Sequence, residues 1–246
     1  MLPRLARTFR SVAFDARGHG LSAKPTSGYG FDRTVADALA VIRVTRLRRP
    51  IVVGHSWGAM VVLALAARQP RAVAAAVLID GGVGALASSM TWAETKERLA
   101  PPHLAGMPVD EFRTMIRTFS GDAFEVTPEI EGMVLSLMNV DREGRIRPRL
   151  SRANHFKILR AIWELDPLRF WSKIRVPVLA VLARGGGSEQ ERAWSERKTL
   201  AAREVRHIAD PSLVTIHWMD GIHDLPVQRP ANLAARIERF ARAVVG

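Results

Sequence analysis

The stretch Ile51-Val52-Val53-Gly54-His55-Ser56-Trp57-Gly58 constrains this chain most, because it sets one serine in a G-x-S-x-G turn between an apolar strand pattern and an apolar helix pattern. Gly54 and Gly58 remove Cβ atoms where a sharp turn brings strand and helix backbones together. Ser56 can then take up a strained conformation with its hydroxyl exposed. The flanks supply the context that the motif needs: residues 51–53 read as a buried strand and residues 59–67 as an alanine-rich apolar helix. The pattern presents Ser56 as a nucleophile.

Elements alternate on both sides of this turn. Residues 9–16 read as a buried strand running into the glycine-rich turn Asp15-Ala16-Arg17-Gly18-His19-Gly20, and residues 31–44 carry Val35, Ala38, Leu39 and Ile42 at helical spacing. A helix over 56–68 and strands over 73–79, 176–183 and 213–219 complete an α/β order, which predicts a mostly parallel sheet flanked by helices. Between Gly81 and Lys173 the alternation stops. That stretch reads as amphipathic helices broken by Pro101-Pro102, Pro108, Pro128 and Pro148. The expected organisation is a core of residues 1–80 and 174–246 with a helical cap insertion over 81–173. Met107, Met115, Met133, Met138, Phe112, Phe119, Phe124, Trp92 and Trp163 are candidates to line a pocket there, although apolar residues at helical spacing more often serve packing.

Composition narrows the chemistry. A chain of 246 residues, 48% hydrophobic, is large enough to bury a full core. The lack of cysteine excludes disulfides, thiolate metal sites and a cysteine nucleophile. The net charge of +12 is dispersed along the chain and comes with neither a recognition motif nor an aromatic platform, so the expected partners exclude nucleic acid. The N-terminus shows no apolar signal region, and no apolar run is long enough to span a bilayer. A cytoplasmic protein without a membrane partner is the expectation. No two histidines stand at ligand spacing such as H-E-x-x-H, so neither metal nor cofactor is expected.

Taken in order, Phe14-Asp15-Ala16-Arg17-Gly18-His19-Gly20-Leu21-Ser22, Gly54-His55-Ser56-Trp57-Gly58, Val77-Leu78-Ile79-Asp80-Gly81-Gly82 and Gly221-Ile222-His223-Asp224-Leu225 resemble the α/β-hydrolase superfamily. The likeness is to its capped esterase, epoxide hydrolase and haloalkane dehalogenase branch, and it covers almost the whole length. A serine nucleophile within that resemblance implies esterase, lactonase, amidase or carbon–carbon hydrolase chemistry on a small acyl-type substrate. The base that takes the Ser56 proton is expected at His223, in the loop after the strand at 213–219, where the superfamily places its histidine. His217 lies inside that strand pattern and His55 beside the serine, so neither is favoured.

The carboxylate is harder to locate. Most members of the superfamily carry it after the strand at 176–183, but here that loop reads Arg184-Gly185-Gly186-Gly187-Ser188-Glu189. Asp80, at the end of the preceding strand, is the favoured acid, with Glu189 and Glu191 as alternatives. Asp224 adjoins His223 and is expected to point away. The backbone N–H of Trp57 is the expected oxyanion donor, with its indole lining the acyl pocket. The resemblance implies a second donor from a His-Gly loop on an earlier strand, upstream of the Asp15 motif, and the chain is read as lacking those opening strands. The competing expectation is therefore a catalytically silent small-molecule binding protein of the same fold. Asp15, Arg17 and His19 are read as structural.

Overall fold

The computed structural model describes residues 1–119, 123–185 and 187–246, except for the side chain of Phe119. That side chain and Gly186, both named above, lie outside the description. In chain order the elements are α1 (Leu2–Leu5), α2 (Phe31–Val44), β1 (Ile51–His55), α3 (Trp57–Arg68), β2 (Ala75–Ile79), α4 (Trp92–Arg98), α5 (Val109–Phe119) and α6 (Pro128–Leu135). There follow β3 (Met138–Val140), β4 (Ile146–Pro148), α7 (Arg152–Glu164), α8 (Leu168–Trp171), β5 (Val178–Arg184), α9 (Glu189–Ile208), β6 (Val214–Asp220), α10 (Leu225–Gln228) and α11 (Pro230–Val245).

Among the described residues β1, β2, β5 and β6 form one sheet in that spatial order, and every pairing is parallel. The two central strands, AAVLI and VLAVLAR, are apolar nearly throughout because both faces of the sheet are covered. Side chains alternate between two cores with the period of the pleat. Ala76, Leu78, Val178, Ala180 and Leu182 face the helices α2, α3, α8 and α9, while Val77, Ile79, Leu179, Val181 and Ala183 face α11 and Leu5. Helix α3 lies deepest. Its residues Leu63 to Ala66 are at most 1% exposed, which explains an alanine-rich sequence that is apolar all round.

The helix over 31–44 forms as read. The strand expected over 9–16 does not: residues 10–16 belong to no ladder, and Val12 and Phe14 are 41% and 51% exposed. A strand exists only through a partner, and the outermost strand of the sheet, β1, pairs with β2 alone. Residues 81–173 contain α4 to α8 as the helical pattern suggests, but also the short antiparallel pair β3 and β4, in register Met138↔Pro148. Several apolar residues of this stretch pack on one another. Phe112, Ile116, Met138 and Ile146 make a small core with Met107 and Met115 against it, whereas Met133 is exposed. Trp92 and Trp163 pack around Met90 and Leu159, and Trp171 returns to the main core, its indole N–H donating to the Gly82 carbonyl at 2.8 Å. Among the described residues no helix is long and apolar enough to cross a membrane.

The two glycines of the serine turn differ in what they tolerate. A Cβ on Gly54 would stand 2.2 Å from the Gly58 carbonyl oxygen, whereas one on Gly58 would meet nothing within 4 Å outside its own helix. Only Gly54 is thus required by close approach. We expect Gly54→Ala to destabilise the protein by about 3 kcal/mol in urea unfolding, because rigid backbone must move. Gly58→Ala, in the first turn of α3, should change stability by no more than about 0.5 kcal/mol.

Candidate active site

A parallel sheet brings the C-terminal ends of its strands to one edge, and three of those ends carry the residues that meet here. At the end of β1 the chain turns into α3 through Ser56, which has φ 54° and ψ −119°. That conformation is strained for a residue with a Cβ. It is held by the Ser56 N–H donating to the Ile79 carbonyl at 2.9 Å. Two contacts need glycine: Gly54 against the Gly58 carbonyl, and Gly81, where a Cβ would stand 2.4 Å from the Ser56 carbonyl oxygen. The Gly81 requirement links the β2 turn to the serine turn, and sequence alone showed only that a glycine follows Asp80.

Asp80 leaves β2 with φ 42° and is 6% exposed. Its backbone N–H donates to the Val181 carbonyl at 2.8 Å. Three donors converge on its carboxylate. Oδ1 accepts from the Ala183 N–H at 2.7 Å and from Lys198 Nζ at 2.8 Å, and Oδ2 lies 2.7 Å from His223 Nδ1. Burial alone would raise the pKa of this carboxyl. The hydrogen bond from His223 and the charge of Lys198 outweigh it and hold Asp80 below the usual aspartate value.

His223 sits in the loop after β6, where the Ile222 N–H donates to Gln228 Oε1 at 2.9 Å. The same Gln228 side chain donates to the Ala123 carbonyl at 2.9 Å, which ties this loop to the stretch between α5 and α6. An ionised Asp80 can only accept, so His223 Nδ1 carries the proton and Nε2 is left as an acceptor. Nε2 lies 2.9 Å from Ser56 Oγ, whose hydroxyl donates to it. The hydrogen-bonded line Ser56–His223–Asp80 is therefore continuous.

Neither Glu191 nor Glu189 takes part in that line. The Glu191 carboxylate accepts from the Gly187 and Ser188 N–H groups and completes a capping box at the start of α9, the S-x-x-E signature of a helix N-terminus. Glu189 is an exposed residue of the same first turn. The Asp224 carbonyl accepts from Val227 and Gln228 N–H groups at the start of α10. As the first residue of α3, Trp57 has a backbone N–H with no intrahelical acceptor. Its indole packs against the main core and stacks on His19 at 5.5 Å, with Nε1 buried and unpartnered. Asp15 and Arg17 serve the turn itself: the Asp15 carboxylate accepts from the Leu21 N–H, and Arg17 pairs with Asp37.

Sequence reasoning missed Lys198 and, having set His55 aside as a base, missed what that ring holds. His55 Nε2–H donates to the His223 carbonyl at 2.8 Å, and the two rings lie 4.8 Å apart. Burial, and then the neighbouring His223, push the His55 pKa down, which suits a neutral ring holding a backbone carbonyl. Its only signal in the sequence was adjacency to Ser56. Among the described residues no three His, Asp or Glu side chains are grouped to hold a metal ion.

Comparison with known proteins gives concordant results. The family described as alpha/beta hydrolase fold matches residues 1–110. A non-heme chloroperoxidase of Streptomyces lividans is 31% identical over 188 residues, covering 73% of this chain and 65% of that protein. A 2-(acetamidomethylene)succinate hydrolase of Mesorhizobium japonicum is 40% identical over 80 residues, or 32% of this chain and 29% of the relative. The chain thus matches less than two thirds of the length of either. Among solved structures, an E-2-(acetamidomethylene)succinate hydrolase superposes with a TM-score of 0.72 at 22% identity, covering 98% of this chain and 84% of that one.

The buried carboxylate has a consequence for acid stability. Asp80 has a folded-state pKa below its unfolded value of about 3.9, so its contribution is complete above that value and is lost as pH falls through the folded one. We expect Asp80→Asn to cost about 3 kcal/mol near pH 7, since it removes the negative charge that faces Lys198 and turns one of the two acceptor oxygens into a donor. The gap between the two proteins in urea unfolding should close progressively below about pH 4.

Proposed function

We propose that this chain is a serine hydrolase of the α/β-hydrolase superfamily, acting on an ester, lactone, thioester or amide through an acyl-enzyme intermediate. The reading rests on one observation above all. His223 bonds Ser56 Oγ with one ring nitrogen at 2.9 Å and the buried Asp80 carboxylate with the other at 2.7 Å.

Each step follows from that arrangement. As Ser56 Oγ attacks the carbonyl carbon, its proton passes to His223 Nε2, and Asp80 stabilises the imidazolium that forms without itself taking the proton. The carbonyl oxygen gathers negative charge and receives a hydrogen bond from the Trp57 N–H at the start of α3, where the helix dipole also favours an anion. His223 then gives its proton to the departing alcohol, thiol or amine. Water attacks the acyl group next, passing a proton to the same nitrogen, and Ser56 leaves with that proton. No step in this cycle calls for a metal or cofactor.

In the same reading residues 81–173 form a cap over the site and enclose a small acyl-type substrate. The Gln228 bond to Ala123 supports it, since that bond fastens this stretch to the loop bearing the base. The relatives include both a hydrolase and non-heme haloperoxidases. Both leave room for the proposed acyl chemistry at a serine.

Intact mass after exposure to a fluorophosphonate probe tests the nucleophile. We expect one adduct, located at Ser56 and absent from Ser56→Ala; a native chain that takes up no adduct at Ser56 refutes the proposal. Turnover of an activated ester such as p-nitrophenyl acetate tests the acid. Asp80→Asn should lower kcat by about 10³- to 10⁴-fold, and Glu189→Gln should leave it within about twofold. Equal, small effects of the two would refute Asp80 as the acid.

A further inference from the structure

We propose that Lys198 is a positioning residue of this site, whose ammonium holds the Asp80 carboxylate from the side away from His223 and limits how strongly that carboxylate draws a proton onto the imidazole. The inference builds on the serine hydrolase reading and assigns a determinant of its pH range.

Lys198 lies on α9, and its side chain is only 17% exposed. Lysine is rarely buried unless paired. Here Nζ donates to Asp80 Oδ1 at 2.8 Å and to the Ala183 carbonyl at 2.5 Å, which leaves one of its three protons. The Ala183 carbonyl stands near the end of β5, the strand after which the family resemblance implied an acid. A cation thus reaches the place where a carboxylate was expected, and the carboxylate comes from β2.

One buried carboxylate then faces two bases of different strength. An ammonium is a far weaker acid than an imidazolium, and in the proposed cycle it is His223 that must gain and lose a proton in each turnover. A fixed positive charge on Oδ1 offsets part of the attraction that Oδ2 exerts on a proton at His223, and the two cations repel. Without the Lys198 ammonium the same carboxylate would draw a proton onto the imidazole more strongly. The other titratable groups facing this pair are His55, whose ring lies 4.8 Å from that of His223, and Asp224, adjacent to His223 in the chain. The Ala183 N–H, the third donor to Asp80, does not titrate.

The test has two readouts. The first is the imidazole titration of His223 by NMR in Ser56→Ala, with the signal assigned by its loss in His223→Gln. Adding Lys198→Met should raise the midpoint by about one pH unit. Lys198→Gln, which keeps a donor and discards the charge, should raise it similarly, and Lys198→Arg should restore it. The second is the pH profile of fluorophosphonate labelling in the chain that retains Ser56. Its acidic limb should move upward by the same amount in Lys198→Gln, so that labelling below the limb is about tenfold slower. An unmoved midpoint in both neutral variants overturns the proposal, as does an equal shift in Lys198→Arg, which would mark a packing role alone. A midpoint that moves in a protein whose Ser56 is never labelled would uphold the Lys198 effect and sink the hydrolase reading, so the two failures are distinct.

Discussion

The Asp80 carboxylate is the interaction on which the site depends, because a charge buried this far from water survives only when it is paired and hydrogen-bonded. Removing a carboxylate from water costs several kcal/mol even after the protein relaxes. Here the cost is offset by donors from three separate parts of the chain: a strand N–H on β5, an ammonium on α9 and an imidazole after β6. Each of those parts must be in register for the carboxylate to be tolerated. The β2–β5 pairing of Ile79 with Val181 brings the Ala183 N–H up to Oδ1, and the packing of α9 through Ala202 and Val205 directs Lys198 inward. The β5–β6 pairing sets where the His223 loop begins.

The same logic governs the serine turn. Ser56 is held at positive φ by its N–H bond to β2, and the clearance for that arrangement comes from glycines in both turns, Gly54 before the serine and Gly81 beside it. The Ser56 turn and the Asp80 turn are therefore one packed unit, with the backbones of two neighbouring strand ends in contact. Backbone rigidity of this kind fixes a hydroxyl to within hydrogen-bonding distance of a base more reliably than mobile side chains do. His55 extends the unit further, since it precedes the serine in the chain and holds the backbone carbonyl of the very residue that serine faces.

The loop after β5 and the end of β2 divide their polar work differently from what the family resemblance implied. In this chain the loop's glycines run into a capping box, with Glu191 satisfying the first N–H groups of a twenty-residue helix. A carboxylate committed to that cap is not free to orient a histidine. Asp80 meets the need from the adjacent strand end, and the long helix that begins at the cap carries the lysine that balances it. A net charge of +12 is thus uninformative as a total, because one of those cations sits inside the site and the rest are dispersed.

Sequence by itself determined whatever depends on neighbours along the chain. Glycine spacing around Ser56 specified the turn, apolar runs specified β2, β5 and α3, and helical periodicity gave α2 with its observed bounds. These are local steric and hydrogen-bonding preferences, legible from a few consecutive residues. Tertiary structure decided what depends on partners far along the chain. Asp80 meets His223 across 143 positions and Lys198 across 118, and neither separation carries a pattern. Residues 9–16 have the composition of a strand and form none, because strand formation is a property of a pair. The methionines and aromatics of residues 81–173 looked alike in sequence, yet Phe112 and Met138 are buried in a local core while Met133 is exposed. Periodicity reports that an apolar face exists; only packing decides what that face meets.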